Sequence, residues 1–234
     1  LSDFEPVLEE TVAVPNRAPH ESWVKMGMWT IVDHVGQLAM AGAGKTDVCI
    51  FAPSLRALPP AYPIAMATLP VVDWNAELFR ALSDMASARS RCYAAVLMID
   101  PFTLWEDLAD LLKDKGFAGV VNFPPASLVE GVQSAGSAGA SNTLEIDRMK
   151  WFHDNGLGIV HTGSSRMEMA DVNNRLADLL DGMIYFPPDA LSRRLAARMD
   201  LEPLVDAGFF PASLWSLKPA PVSPAGEAFD GTAC

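Results

Sequence analysis

The sequence predicts an α/β fold, a parallel barrel of the TIM (β/α) type that is incomplete or distorted, with six to eight parallel strands. Two observations carry this. Short apolar runs alternate along the chain with segments whose apolar residues recur at helical spacing, and the connections between them are short. Most of the apolar runs also end in polar residues, as strands do where a barrel presents its functional rim. The chain has 234 residues, half of them hydrophobic, which suffices for one sizeable core.

In chain order, residues 1–24 read as a polar N-terminal arm, 25–218 as the barrel domain and 219–234 as a proline-rich C-terminal tail. Trp29 to Met40 has Ile31, Val32, Val35, Leu38 and Ala39 at helical spacing and predicts an amphipathic helix. AGAGKT at 41–46 suggests a phosphate loop, but Ala39 stands where that pattern needs glycine, and a helix precedes rather than follows it. Asp47 to Phe51 is a buried strand. Asp73 caps a helix running to Ala88, and Tyr93 to Ile99 is the next strand, closed by Asp100-Pro101-Phe102. Thr103 can cap the helix that Gly116 stops, and Phe117 to Val121 is a strand ending at Asn122.

The small-residue run at 131–141 reads as a mobile loop, and Thr143 to Asn155 as a helix with Glu145 in its first turn. Leu157 to Val160 is a strand whose end, His161-Thr162-Gly163-Ser164-Ser165, is the richest in polar groups. Met167 to Leu180 is a helix, Gly182 to Phe186 a strand, Asp189 to Arg198 a basic-leaning helix and Ala207 to Ser213 a faint final strand. The strand runs at 47–51, 93–99, 117–121, 157–160 and 182–186 are expected to be parallel neighbours in that order. A barrel short of a strand exposes two ladder edges, to be covered by the N-terminal arm, the C-terminal segment or a second subunit.

A formal charge of −12 and the lack of clustered Lys and Arg argue against nucleic acid or anionic membranes as partners. No run of about 18 apolar residues is present that would span a bilayer. Cys49, Cys92 and Cys234 are odd in number, widely spaced and without metal-ligand spacing, so a reducing, cytoplasmic setting is expected. Leu1 is not an initiator methionine, which leaves room for a removed targeting segment.

GVxNFPxxxLxxG at 119–131, preceded by Asp100-Pro101-Phe102 and followed by Leu144-Glu145, resembles the phosphoenolpyruvate hydrolase-like TIM-barrel family. Weaker similarity extends from about Gly36 to about Tyr185, through LPVVDWNAELFRAL. The family is similar to the phosphoenolpyruvate mutase and isocitrate lyase barrels, which implies a lyase or hydrolase acting on a small oxo-acid or enol phosphate. On that resemblance the catalytic candidates are Asp100, Asn122 and Glu145 and the substrate-binding candidates Ser54 and Arg56, and the polar strand end after 157–160 adds His161 as catalytic and Ser164 as substrate-binding. Arg56 would hold the acid group, Asp100 with Glu145 a divalent metal such as magnesium or a proton, and Asn122 an enolate oxygen. His161 would transfer protons. The partners implied are a small anionic substrate and a second copy of the chain.

Each candidate has a plainer reading. Arg56 suits an exposed loop, Asp100 a turn, Asn122 turn chemistry and Glu145 a helix N-terminus. The chain also departs from the family pattern. WVKMGMW stands in place of a glycine-rich first strand, YFPP replaces a histidine near residue 186, and the next strand with its HGG turn has no counterpart. A non-catalytic relative that serves as a binding or interaction subunit is therefore the alternative.

Overall fold

The computed structural model describes residues 29–38, 47–59, 63–68, 72–88, 91–129, 138–176, 178–186, 188–193, 198–204 and 214–218. The proposed arm and tail, the AGAGKT run, most of the 131–141 loop and the faint strand at 207–213 lie outside them.

Eight strands among these residues close a barrel. They are β1 (Trp29–Val32), β2 (Val48–Phe51), β3 (Cys92–Val96), β4 (Gly119–Asn122), β5 (Gly158–Gly163), β6 (Leu180–Tyr185), β7 (Arg198–Pro203) and β8 (Leu214–Leu217). β2 to β6 are parallel neighbours in sequence order, as their apolar character led us to expect. β1 joins β2 and β8 joins β6, both in parallel.

The closure corrects the expected fold class. β7 runs antiparallel to both β1 and β8, with Trp29 opposite Leu201 and Leu217 also opposite Leu201. The barrel is thus complete and mixed rather than an all-parallel (β/α) barrel lacking a strand. The strand order β6, β8, β7, β1 shows how this happens: β8 extends the parallel series and β7 folds back into the remaining space. The C-terminal part of the chain saturates both ladder edges, which removes the open-edge argument for a second subunit.

Helical cover is uneven. The full-length helices are α2 (Trp74–Asp84), α3 (Trp105–Asp114), α5 (Ala138–Asp154) and α6 (Arg166–Leu176), whereas α1 (Val35–Leu38), α4 (Ala126–Val129) and α7 (Pro188–Leu191) have four residues each. The helix expected over 29–40 is therefore split, with strand β1 at Trp29–Val32 and a single helical turn, α1, at Val35–Leu38. Its Thr-Ile-Val sequence favours extended backbone, and a short apolar run does not distinguish the two periods. The helix expected over 189–198 is likewise cut short, and Arg198 opens β7.

Strand alternation builds two apolar layers. Trp29, Ile31, Ile50, Val121, Val160, Ile184 and Trp215 fill the barrel, with Trp29 stacked 5.1 Å from Trp215. Phe51, Val96, Val120, Ile159 and Met183 form the outer layer with helix residues such as Leu78, Leu108, Phe152 and Val172.

Two helix-to-strand turns follow one design. Gly116 has φ +78° and its N–H meets the Lys113 carbonyl, while the Phe117 N–H reaches Leu112. Gly156, at φ +84°, repeats this with His153, and Leu157 with Phe152. Only glycine takes this left-handed conformation readily, and the pattern is the Schellman stop read from the sequence. Asp73 likewise caps α2 by accepting from Ala76 N at 3.0 Å.

Candidate functional site

The carboxyl ends of the six parallel strands β1, β2, β3, β4, β5 and β6 share one rim with that of β8, where a barrel of this kind would hold its site. That mouth is packed with apolar side chains. Leu55 follows β2, Ile64 lies in a 3-10 turn, Trp74 opens α2, Phe123 follows β4 and Phe186 follows β6, and all are buried in one cluster with the barrel interior. Phe123 is the keystone, its ring 5.7 Å from Trp74 and 5.6 Å from Phe186.

Most of the candidate residues are engaged in the fold. Ser54 is fully buried and its hydroxyl donates to the Trp74 carbonyl at 2.7 Å. Arg56 is exposed on the following 3-10 turn. Asn122 is fully buried and continues the β4–β5 ladder with its side chain: Oδ1 accepts from Thr162 N at 2.5 Å and Nδ2 donates to Thr162 O at 3.0 Å. The Thr162 hydroxyl completes the exchange by donating to the Asn122 carbonyl.

α5 begins at Ala138, so Glu145 lies about two turns inside it rather than in its first turn. Its Oε1 accepts from Ala126 N at 3.0 Å, satisfying a buried N–H at the start of α4. Glu145→Ala is expected to cost about 1–3 kcal/mol in urea denaturation because that N–H loses its acceptor, and Glu145→Gln to cost less because an acceptor remains.

His161 is fully buried, and neither ring nitrogen has a hydrogen-bond partner among the described residues. Alternation puts it on the outer face of β5, with Ile159 and its ladder partner Met183, not in the barrel interior. Burial holds its pKa down to about 3, so the ring is neutral in ordinary buffers. The Ser164 N–H donates to Glu168 Oε2 at 3.1 Å, and Glu168 Oε1 accepts from Ser127, tying α6 to α4.

Asp100 borders a pocket. Its Oδ1 accepts from Phe102 N at 2.9 Å and its Oδ2 from the Thr103 hydroxyl at 2.6 Å, with Asn75 Nδ2 at 3.3 Å. This is turn chemistry, and it draws Thr103 away from the helix cap expected of it: Leu104 stands at the N-cap of α3 without a side-chain bond. A pocket of about 250 Å³ opens here, lined by Asp73, Asn75, Ala76, Phe79, Asp100, Phe102, Thr103 and Leu104.

The register sets Asn122 beside His161, since Val121 pairs with Val160 one residue earlier. No group of three or more His, Cys, Asp or Glu among the described residues is arranged to hold a metal ion. The residues present do not fit the magnesium that the resemblance implies, because Glu145 is committed to a helix start and Asp100 to a turn.

Reading 29–40 as a helix hid two rim residues, Asp33 and His34, which follow β1. Burial raises the Asp33 pKa, opposed by the nearby Arg56 charge. Asn75 was missed as well, although a polar residue on the buried Trp74, Leu78, Leu82 stripe of α2 is a legible signal. Asp181 and Tyr93 form a buried pair within the barrel, the Tyr93 hydroxyl donating at 2.7 Å. Gly158 makes room for it, since a Cβ there would sit 1.9 Å from Asp181 Oδ2.

Fold and rim together define, among the described residues, a closed eight-stranded mixed β-barrel whose mouth is filled from within. No family model matches the chain. It is similar to the uncharacterized protein y4oT of Sinorhizobium fredii (strain NBRC 101917 / NGR234), with 29% identity over 97 residues, 42% of this chain. The chain matches about half the length of that relative, 50%. Among the described residues no helix is long and apolar enough to cross a membrane.

Proposed function

We propose that this barrel is a non-catalytic binding or interaction subunit, in which groups at the strand ends hold the fold together. One observation carries the reading: the mouth is filled by buried Leu55, Ile64, Trp74, Phe123 and Phe186, and the wholly buried Asn122 and Glu145 side chains are bonded to the backbone of Thr162 and Ala126. A general base must come within hydrogen-bond reach of its proton, and a wholly buried His161 with a pKa of about 3 is poorly suited to that work. The similarity of the NFP and DPF stretches to phosphoenolpyruvate hydrolase-like barrels is kept here as kinship of sequence, with the lyase or hydrolase chemistry lost. Cys49 and Cys92, buried neighbours in the β2–β3 ladder that form no disulfide, support placement in the cytoplasm.

Thermal unfolding with pyruvate, oxaloacetate and phosphoenolpyruvate at millimolar concentration, with and without magnesium, tests the reading. A ligand at 100 times its Kd adds about 2.7 kcal/mol. For a chain of this size that raises Tm by about 5–10 °C. We expect no such shift. A rise of that size that Arg56→Ala or Asn122→Ala abolishes would restore the oxo-acid enzyme.

A further inference from the structure

We propose that the pocket between the start of α2 and the β3–α3 turn receives a lysine or arginine side chain from a protein partner. This rests on the reading of the barrel as an interaction subunit and gives that reading a place and a chemistry. The pocket has an apolar wall made by Ala76, Phe79 and Leu104, and two carboxylates, Asp73 and Asp100, at its edge. Both carboxylates are bonded to neutral donors only. Asp73 accepts from Ala76 N, and Asp100 from Phe102 N, the Thr103 hydroxyl and Asn75 Nδ2. Among the described residues neither forms an ion pair, and the nearby Arg80 is bonded to Glu77.

Two carboxylates, of which Asp73 has Arg80 nearby but bonded to Glu77, beside an apolar wall match a side chain that carries a long aliphatic stem and a cationic head. Phe102 and Leu104 strengthen the case, at 90% and 65% exposed, because large apolar side chains so open to water are common where a partner docks. The Phe102 face offers a cation a second attraction through its ring. The formal charge of −12 favours encounter with a basic partner over an acidic one.

The platform is rigid. Asn75 is buried and locks α2 to the end of β3, its Oδ1 accepting from Leu97 N at 2.9 Å and its Nδ2 donating to Leu97 O at 3.0 Å and Thr103 Oγ1 at 2.7 Å. The ligating edge is therefore held before a partner arrives, which lowers the entropic cost of binding.

The test is a titration of the full ¹⁵N-labelled chain with the capped peptide Gly-Leu-Lys-Leu-Gly, followed by amide shifts and by fluorescence anisotropy. Matched peptides carry glutamate or norleucine in place of lysine. Shifts are expected at Ala76, Phe102, Thr103 and the Asn75 side-chain amide, with binding weakened by salt. Asp73→Asn keeps the acceptor for Ala76 N, Asp100→Asn keeps one of two acceptor oxygens, and Phe102→Ala alters an exposed side chain; with the amide spectrum of each variant checked for an intact fold, each is expected to weaken lysine-peptide binding by roughly threefold to tenfold. Equal binding by the glutamate or norleucine peptide, shifts spread over the acidic surface, or affinity unchanged in all three variants would overturn the site. Oxo-acid turnover by the unaltered chain would instead overturn the non-catalytic reading, so the two failures are told apart.

Discussion

Phe123→Ala is expected to lower the unfolding free energy by about 3–5 kcal/mol, the range for removing a wholly buried aromatic ring. Phe123 is 3% exposed and is in contact distance of both Trp74 and Phe186, which come from separate elements of the rim. Removing it strips the central ring from the plug, and the neighbours are fixed by α2 and by the end of β6, so they cannot collapse fully into the space. Phe123→Leu should recover most of the loss, costing under about 1.5 kcal/mol. Phe102→Ala, at a side chain open to water, should stay within about 0.5 kcal/mol of the parent. Urea denaturation followed by tryptophan fluorescence measures all three. A loss below about 1 kcal/mol for Phe123→Ala would mean a loosely filled mouth, and would return the barrel to the enzyme reading.

His161 is expected to make the protein acid-sensitive in a defined window. The folded-state pKa is about 3 against 6.5 for the free side chain, so the unfolded chain binds the proton more readily. Above pH 6.5 both states are neutral at this ring and pH has no effect through it. Below that, stability falls by about 1.4 kcal/mol for each pH unit until the folded-state pKa is reached. At pH 5 the loss through His161 alone is therefore about 2 kcal/mol. Carboxylates add their own acid dependence, so the quantity to measure is the difference between parent and His161→Leu across pH 4 to 7. The variant should lack this slope, and should be more stable at neutral pH by about 1–2 kcal/mol, because two buried nitrogens without partners are removed. Parallel pH profiles for the two proteins would show that the ring is solvated or hydrogen-bonded in solution.

Much of the fold was legible because it is specified locally. The five parallel strands β2 to β6 are short apolar runs, and they are bounded by signals that act within a few residues. Gly116 and Gly156 stop helices by adopting positive φ, and Asp73 caps α2. The closing strands were not legible. Trp29–Val32 carries the spacing of a helix face and became β1, since pairing with β2 and β7 decides the matter and pairing is not a local property. The antiparallel return of β7 depends on the space left between β8 and β1, which no residue of Arg198–Pro203 encodes alone.

The candidate site divides in the same way. By itself the sequence determined which chemical groups stand at the strand ends: Ser54, Asp100, Asn122 and His161 all follow apolar runs, and the chain order of a parallel sheet brings those ends to one rim. Only the tertiary structure decided what the groups do there. Asn122 spends its amide on Thr162, Ser54 its hydroxyl on Trp74, and Glu145 an oxygen on Ala126, because buried polar atoms must be satisfied and these were the partners that packing supplied. His161 was turned to the helix side by the two-residue alternation of β5, and the mouth was closed by three aromatic rings from distant parts of the chain. A sequence states the inventory of groups and their order along the rim; burial and hydrogen-bond pairing, which depend on every neighbour at once, determine whether any of them is left facing a solute.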